Sequence, residues 1–159
     1  MAVRGSNHFG MASYFTRMAL EHNMIGMCST SPAAHLLAPT GGVEPILDNN
    51  PFSFAIPAGK EYPVVLDMAT SVVSRGKLAS AAKRGDKIPT TWAMTIDGEP
   101  TDDPKLGFDG ILLPVGGYKG YGLTVISGVM AAMLSNAALM SRDICDFYVD
   151  TDKEQNIGH

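Results

Sequence analysis

The sequence has little cysteine, little charge of either sign and few long apolar runs, and each shortage excludes something. Cys28 and Cys145 are its only two cysteines among 159 residues. They lack the C-x-x-C spacing of a zinc site or redox motif, so both read as buried thiols. His22, His35 and His159 have no carboxylate or second histidine at metal-ligand spacing, and no metal is predicted. Twelve Lys and Arg are dispersed along a chain of net charge −4, which provides no basic stripe for nucleic acid. The opening MAVRGSNHFGMAS has no signal-like apolar core, and free thiols with many methionines suit a reducing compartment, so a cytoplasmic protein is expected. The longest apolar stretch, Leu123 to Met140, is interrupted by Thr124, Ser127, Gly128, Ser135 and Asn136. A membrane-spanning helix needs about 20 predominantly apolar residues. This stretch is therefore read as a helix buried on most sides by its own protein, with no membrane partner.

What is present is enough apolar content, 45% of residues, for one sizeable core, so residues 1–159 are expected to form a single domain. From Met11 to Asn23 the apolar positions Met11, Tyr14, Phe15, Met18 and Ala19 recur at helical spacing, which predicts an amphipathic helix with that stripe inward. Met24 to Thr30 reads as a short strand. Ser31 to Pro51, with four prolines and Asp48-Asn49-Asn50, reads as a long loop, and loops of that length are usually functional. Phe52 to Pro57 and Tyr62 to Ala69 form two strand patterns across an AGKE turn, a hairpin whose second strand looks buried. Val72 to Arg84 is helical and ends at Gly85. Trp92 to Ile96 followed by Asp97-Gly98 predicts a strand and turn, with Trp92 in the core or a pocket wall. Ile111 to Val115 is an apolar strand leading into a glycine-rich segment. The chain starts and stops abruptly, which suggests excision from a larger protein.

Three clusters carry residues suited to chemistry. Ser6-Asn7-His8-Phe9-Gly10 precedes the first helix; His8 can move a proton near neutral pH, or the cluster merely caps the helix. Gly116 to Gly122 combines glycines, a helix start and Lys119, an anion-binding arrangement or a plain turn. It matches neither the P-loop nor the G-x-G-x-x-G dinucleotide fingerprint. Asp67-Met68-Ala69-Thr70-Ser71 places a carboxylate and two hydroxyls at a strand end, where ligands gather, although Thr70 or Ser71 could equally cap the following helix with Asp67 offsetting its dipole. No G-x-S-x-G nucleophile is present.

Taken in order, SNHFG, STSP, APTGG, NNPFSFAIP, VLDMATS, IPTTWAMTIDGEPTDDP, LLPVGGYKGYGL and NIGH resemble the central stretch of the malate/L-lactate dehydrogenase-like family. That family includes ureidoglycolate, sulfolactate and diketogulonate oxidoreductases. The resemblance implies a mixed α/β fold with a largely antiparallel sheet covered by helices, the long apolar one most deeply buried, and a cofactor-binding domain that is not a Rossmann fold. It implies NAD or NADP as cofactor, a 2-hydroxy acid such as malate or lactate as substrate, and a homodimer. His8 matches a histidine used as proton acceptor or donor. Ser31, Asp67, Met68, Ala69, Thr70, Ser71, Tyr118 and Lys119 match cofactor-lining positions. Thr95 stands where the family commonly has Asp, and Asp97, two residues on, is expected on the same strand face. Family members also carry substrate-binding and cofactor-binding segments on either side of this stretch. The other reading is a truncated, non-catalytic remnant that folds or self-associates without turnover.

Overall fold

A computed structural model of the chain describes residues 1–31, 33–139, 145–146 and 148–159. The elements run α1 (Ala12–Met18), a 3-10 turn (Ala19–His22), β1 (Gly26–Ser29), β2 (Phe52–Ile56), β3 (Val64–Met68), α2 (Arg75–Arg84), β4 (Ala93–Met94), α3 (Pro104–Asp109), β5 (Ile111–Leu112) and α4 (Tyr118–Ser135). The fold is mixed α/β, with an antiparallel sheet in the order β1-β2-β3 and a second antiparallel pair, β4-β5. The expected hairpin forms in register, with Phe52 opposite Met68 and Ile56 opposite Val64.

α1 covers the three-stranded sheet, but with the face opposite to the one its pattern predicts. Ala12, Ser13 and Thr16 are buried, while Met11, Tyr14, Phe15 and Met18 are exposed. The reason is close approach of backbones: a Cβ on Gly26 of β1 would run into the Thr16 carbonyl, and the Thr16 hydroxyl meets Ser53 Oγ of β2 at 2.9 Å. Only small side chains fit at that spacing. β3 is likewise not the buried strand its apolar run suggests. It is a sheet edge, and Val64, Val65 and Leu66 are all exposed.

α4 repeats the inversion. Gly120, Thr124, Ser127, Gly128, Ala131, Ala132 and Ser135 face inward, and Leu123, Ile126, Met133 and Leu134 face out, so the long apolar helix is buried along one face and not on most sides. It also begins earlier and ends earlier than its apolar run, turning at Asn136 in the left-handed conformation; Met140, the last residue of the expected helix, lies outside the described residues. No helix among the described residues is long and apolar enough to cross a membrane.

The densest core lies around the second strand pair. Leu37, Leu47, Leu78, Ala93 and Leu112 are buried together, with Trp92 and Phe108 packed at the edge. Each fully buried leucine contributes about 1.5–3 kcal/mol. Two of them come from the long loop, which folds on itself through a Leu37–Leu47 bridge and joins the core through Leu112 N–H donating to the Leu36 carbonyl at 2.8 Å. α2 starts at Ser74, whose Oγ accepts from Lys77 N–H, and stops at Gly85 with φ +74°. Thr70 and Ser71 therefore do not cap it. α3 was not expected, although Asp103 accepting from the Lys105 and Leu106 N–H groups and Pro104 in the first turn are an N-cap and N1 pair. Both cysteines are half-buried, not fully buried. Asp97 lies in the turn beyond β4, so it does not share a strand face with Thr95.

Candidate functional site

The segment Asn156–His159 joins parts of the chain far apart in sequence. Val3 and His159 exchange two backbone hydrogen bonds at 2.9 and 3.0 Å, and Ser6 pairs with Ile157 at 3.2 and 2.9 Å. On its other side, Ser31 N–H donates to the Gly158 carbonyl at 2.8 Å, and Ser31 Oγ accepts from Gly158 N–H at 2.7 Å. A Cβ at position 158 would collide with Ser135 Oγ, which is why the connector carries glycine. One short extended segment thus fixes the His8 loop and Ser31 together.

His8, Ser31, Asp48, Asn49, Ser74 and Arg75 line the resulting cleft, about 130 Å³ in volume. His8 is exposed, and its Nδ1 accepts from Gly10 N–H at 3.2 Å. Ser31 is buried; with its oxygen already accepting from Gly158, its hydroxyl proton is free to be donated elsewhere. Asp48 is 6% exposed, with Oδ2 accepting from Ala33 N–H at 2.8 Å and Oδ1 from Asn49 N–H at 2.6 Å. Burial pushes its carboxyl above the usual range, the backbone donors act against that, and the Asp146 charge adds to it. Arg75 is held rigidly: Nη1 pairs with Asp146 at 2.7 Å, Nε donates to the Phe108 carbonyl at 3.1 Å, and the guanidinium lies over the Phe108 and Tyr148 rings.

The sequence singled out neither Asp48 nor Arg75. Asp48 sits in a run of turn-forming residues, and Arg75 reads as an ordinary helix charge; only the buried N–H donors and the aromatic sandwich distinguish them.

The other expected site residues lie outside this cleft. Asp67 Oδ2 accepts from Ser13 N–H at 2.7 Å, so a carboxylate from β3 satisfies the start of α1. Met68 and Ala69 are half-buried. Thr70 is fully buried: its hydroxyl donates to the Asn49 carbonyl at 2.8 Å and accepts from Thr124 Oγ1 at 2.5 Å. The Val115 N–H donates to its carbonyl at 2.9 Å. Ser71 donates to the Val73 carbonyl at 2.7 Å and accepts from Asn49 Nδ2 at 3.4 Å, which ties this segment to the cleft wall. Tyr118 and Lys119 do not line the cleft; they stand exposed at the start of α4, whose N-cap Gly117 supplies no side chain to its N–H groups.

A second, more apolar hollow of about 660 Å³ lies between α1, β1 and α4, where Phe15, Met27, Met130 and Leu134 meet His159. Neither His159 ring nitrogen has a hydrogen-bond partner among the described residues, and its ring packs against Phe9 at 4.0 Å. Burial, reinforced by His8, lowers its proton affinity; the Asn7 backbone opposes this, although not at hydrogen-bonding geometry. The Cys28 thiol is pushed up by burial and by the Asp67 charge, which suits an inert thiol. Among the described residues no cluster of His, Cys, Asp or Glu could hold a metal ion.

Comparison with known proteins places this geometry in a family. The family model for malate/L-lactate dehydrogenase matches residues 1–159. An L-sulfolactate dehydrogenase from Methanothermobacter thermautotrophicus is 44% identical over 140 residues, covering 87% of this chain and 40% of its own length. A malate dehydrogenase from Pyrococcus abyssi is 41% identical over 166 residues, covering 94% and 45%. A dehydrogenase structure from Sinorhizobium meliloti superposes with a TM-score of 0.88 at 36% identity, over 99% of this chain and 45% of that one. The chain thus spans less than half the length of these relatives. It belongs to the malate/L-lactate dehydrogenase family of oxidoreductases.

Proposed function

We propose that the protein works as an NAD(P)-dependent oxidoreductase on a 2-hydroxy acid and its 2-keto counterpart, of the malate or lactate type. The observation that carries this reading is the meeting of His8 and Ser31 in one cleft, held by Asn156–His159, in a chain whose family is one of dehydrogenases.

The α4 start fits a dinucleotide's phosphates. Its first N–H groups lack a side-chain cap, Lys119 is exposed beside them, and Gly116 and Gly117 leave open space, so fixed dipole and full charge favour an anion there. Tyr118 and Lys119 would hold the phosphate end, and Ser31 with Asp67 to Ser71 would line the rest. When bound, the nicotinamide supplies the hydride chemistry at the carbon bearing the hydroxyl.

His8 accepts or returns the hydroxyl proton. With Nδ1 accepting from Gly10 N–H, the neutral ring carries its proton on Nε2. Taking a proton at Nε2, or holding two, therefore requires release of the Gly10 contact, so the His8 loop must shift when the site is engaged. The exposed apolar faces of α1 and α4 support a homodimer, since patches of this kind mark association surfaces. A cytoplasmic location completes the proposal.

Calorimetric titration with NADH and with NADPH tests the reading. Saturable binding is expected, weakened about tenfold by Lys119→Ala, as loss of one charge-assisted contact implies, and left largely intact by His8→Ala. A folded chain that binds neither nucleotide would favour the remnant reading and overturn cofactor binding by this unit.

A further inference from the structure

Ser31 and Asp48 bring to the cleft a hydrogen-bond donor and an acceptor that the fold leaves unspent. Ser31 is buried; its oxygen accepts from Gly158 N–H, and its own proton goes to no described residue. Asp48 is 6% exposed and forms no ion pair with any described residue. Ala33 N–H and Asn49 N–H bond to its carboxylate and Ala34 N–H faces it, against about four acceptor sites on the ionised group. A protonated carboxyl keeps acceptor capacity too. Through Ala33 N–H, Asp48 is anchored to the stretch of chain that follows Ser31, yet the two side chains do not bond each other. Phe9, Leu36, Pro51 and Ile157 make much of the remaining lining apolar. The charged or titratable groups of the lining include one carboxylate, one guanidinium and one imidazole, and Asp146 matches the guanidinium from outside it, so a neutral polar group suits the cleft. At about 130 Å³ it is smaller than the roughly 300–1,000 Å³ of pockets that enclose a whole ligand. It takes one end of a larger molecule.

We propose that Ser31 and Asp48 clamp the carboxamide of the nicotinamide ring: the Ser31 hydroxyl donates to the amide carbonyl, and Asp48 accepts from the amide N–H. This rests on the functional reading above, which brings the ring to the cleft because hydride must pass to or from the carbon whose hydroxyl His8 serves. A primary carboxamide offers an acceptor and a donor pair on one flat group, the complement of these two side chains. Held at both ends, the amide stops the ring turning about its bond to the ribose, so the ring presents one face to the substrate. Sites built to hydrogen-bond an N–H reject an analogue that lacks it, because the buried acceptor is then left unpaired.

Dinucleotides altered only at the amide test this by isothermal titration of the chain, with no hydroxy acid present, so that any preference belongs to the cofactor. The 3-acetylpyridine analogue of NADH or NADPH, whichever binds, carries methyl in place of the amide nitrogen and should bind about tenfold more weakly than its parent, as loss of one hydrogen bond to a charged acceptor implies. The thionicotinamide analogue keeps the N–H groups but offers sulfur, a weaker acceptor, to Ser31; it should bind about threefold more weakly. Asp48→Ala should abolish the first discrimination and keep the second. Because Asp48 also holds Ala33 N–H and the variant can misfold, the wild-type comparison decides on its own. Equal binding of the parent and the acetylpyridine analogue by the wild type overturns the clamp and leaves the dehydrogenase reading intact. Binding of none of the three dinucleotides by the folded chain overturns both.

Discussion

Two glycines six residues apart in α4, Gly122 and Gly128, are expected to respond in opposite directions to the same substitution. Gly122 has nothing within 4 Å of where a Cβ would sit, whereas a Cβ on Gly128 would strike the side-chain amide of Asn50. Asn50 is fully buried, and its Nδ2 donates to the Thr124 carbonyl at 2.9 Å, so it has neither room to retreat nor water to replace that bond. In an open helix interior, Gly→Ala stabilises by about 0.5–1 kcal/mol through reduced backbone entropy, and Gly122→Ala should show that gain. Gly128→Ala receives the same gain, but overpacking costs about 1–3 kcal/mol and loss of the Asn50 bond about 0.5–1.5 kcal/mol, so it should be destabilised by about 1–3 kcal/mol net. Near this chain length each kcal/mol moves the melting point by about 2–4 °C. Differential scanning calorimetry of both variants at one pH resolves such a gap. Equal shifts of the same sign would refute the claim that α4 packs through its small residues.

Asp67→Ala should cost about 1 kcal/mol in urea unfolding, because the Ser13 N–H at the start of α1 loses its acceptor; Asp67→Asn, which keeps an oxygen, should cost less. His159 should make the fold less stable in mild acid. Its folded proton affinity is lowered by burial, so as pH falls below the unfolded value of about 6.5 the unfolded chain takes up the proton first, and stability is lost down to the folded value. The urea midpoint of His159→Phe should change less than that of the wild type between pH 8 and pH 5.5, and an unchanged pH dependence would sink this account. Arg75→Lys should lose about 1–3 kcal/mol despite keeping the charge, since an ammonium cannot make the Asp146 and Phe108 carbonyl bonds together or stack between two rings.

The hairpin, the α2 exit at Gly85 and the strand leading into the glycine-rich segment were legible because each depends on local chemistry: period-two alternation, a left-handed glycine, a short apolar run. The inward faces of α1 and α4 were not, because hydrophobic periodicity assumes that large apolar side chains are the ones buried. In both helices the seam belongs to small residues, and its signal was present in Gly120, Thr124, Ser127 or Gly128, Ala131 and Ser135, spaced three and four apart. That spacing marks close backbone approach, and it becomes legible only when the facing element is known, here Asn50 and Asn156–His159. The cleft follows the same logic. His8 was conspicuous as a titratable group in a loop before a helix, but its neighbour Ser31 comes to it through Gly158, which lies 127 residues from Ser31. Asp48 looked like a turn former because a carboxylate's burial is a property of what surrounds it.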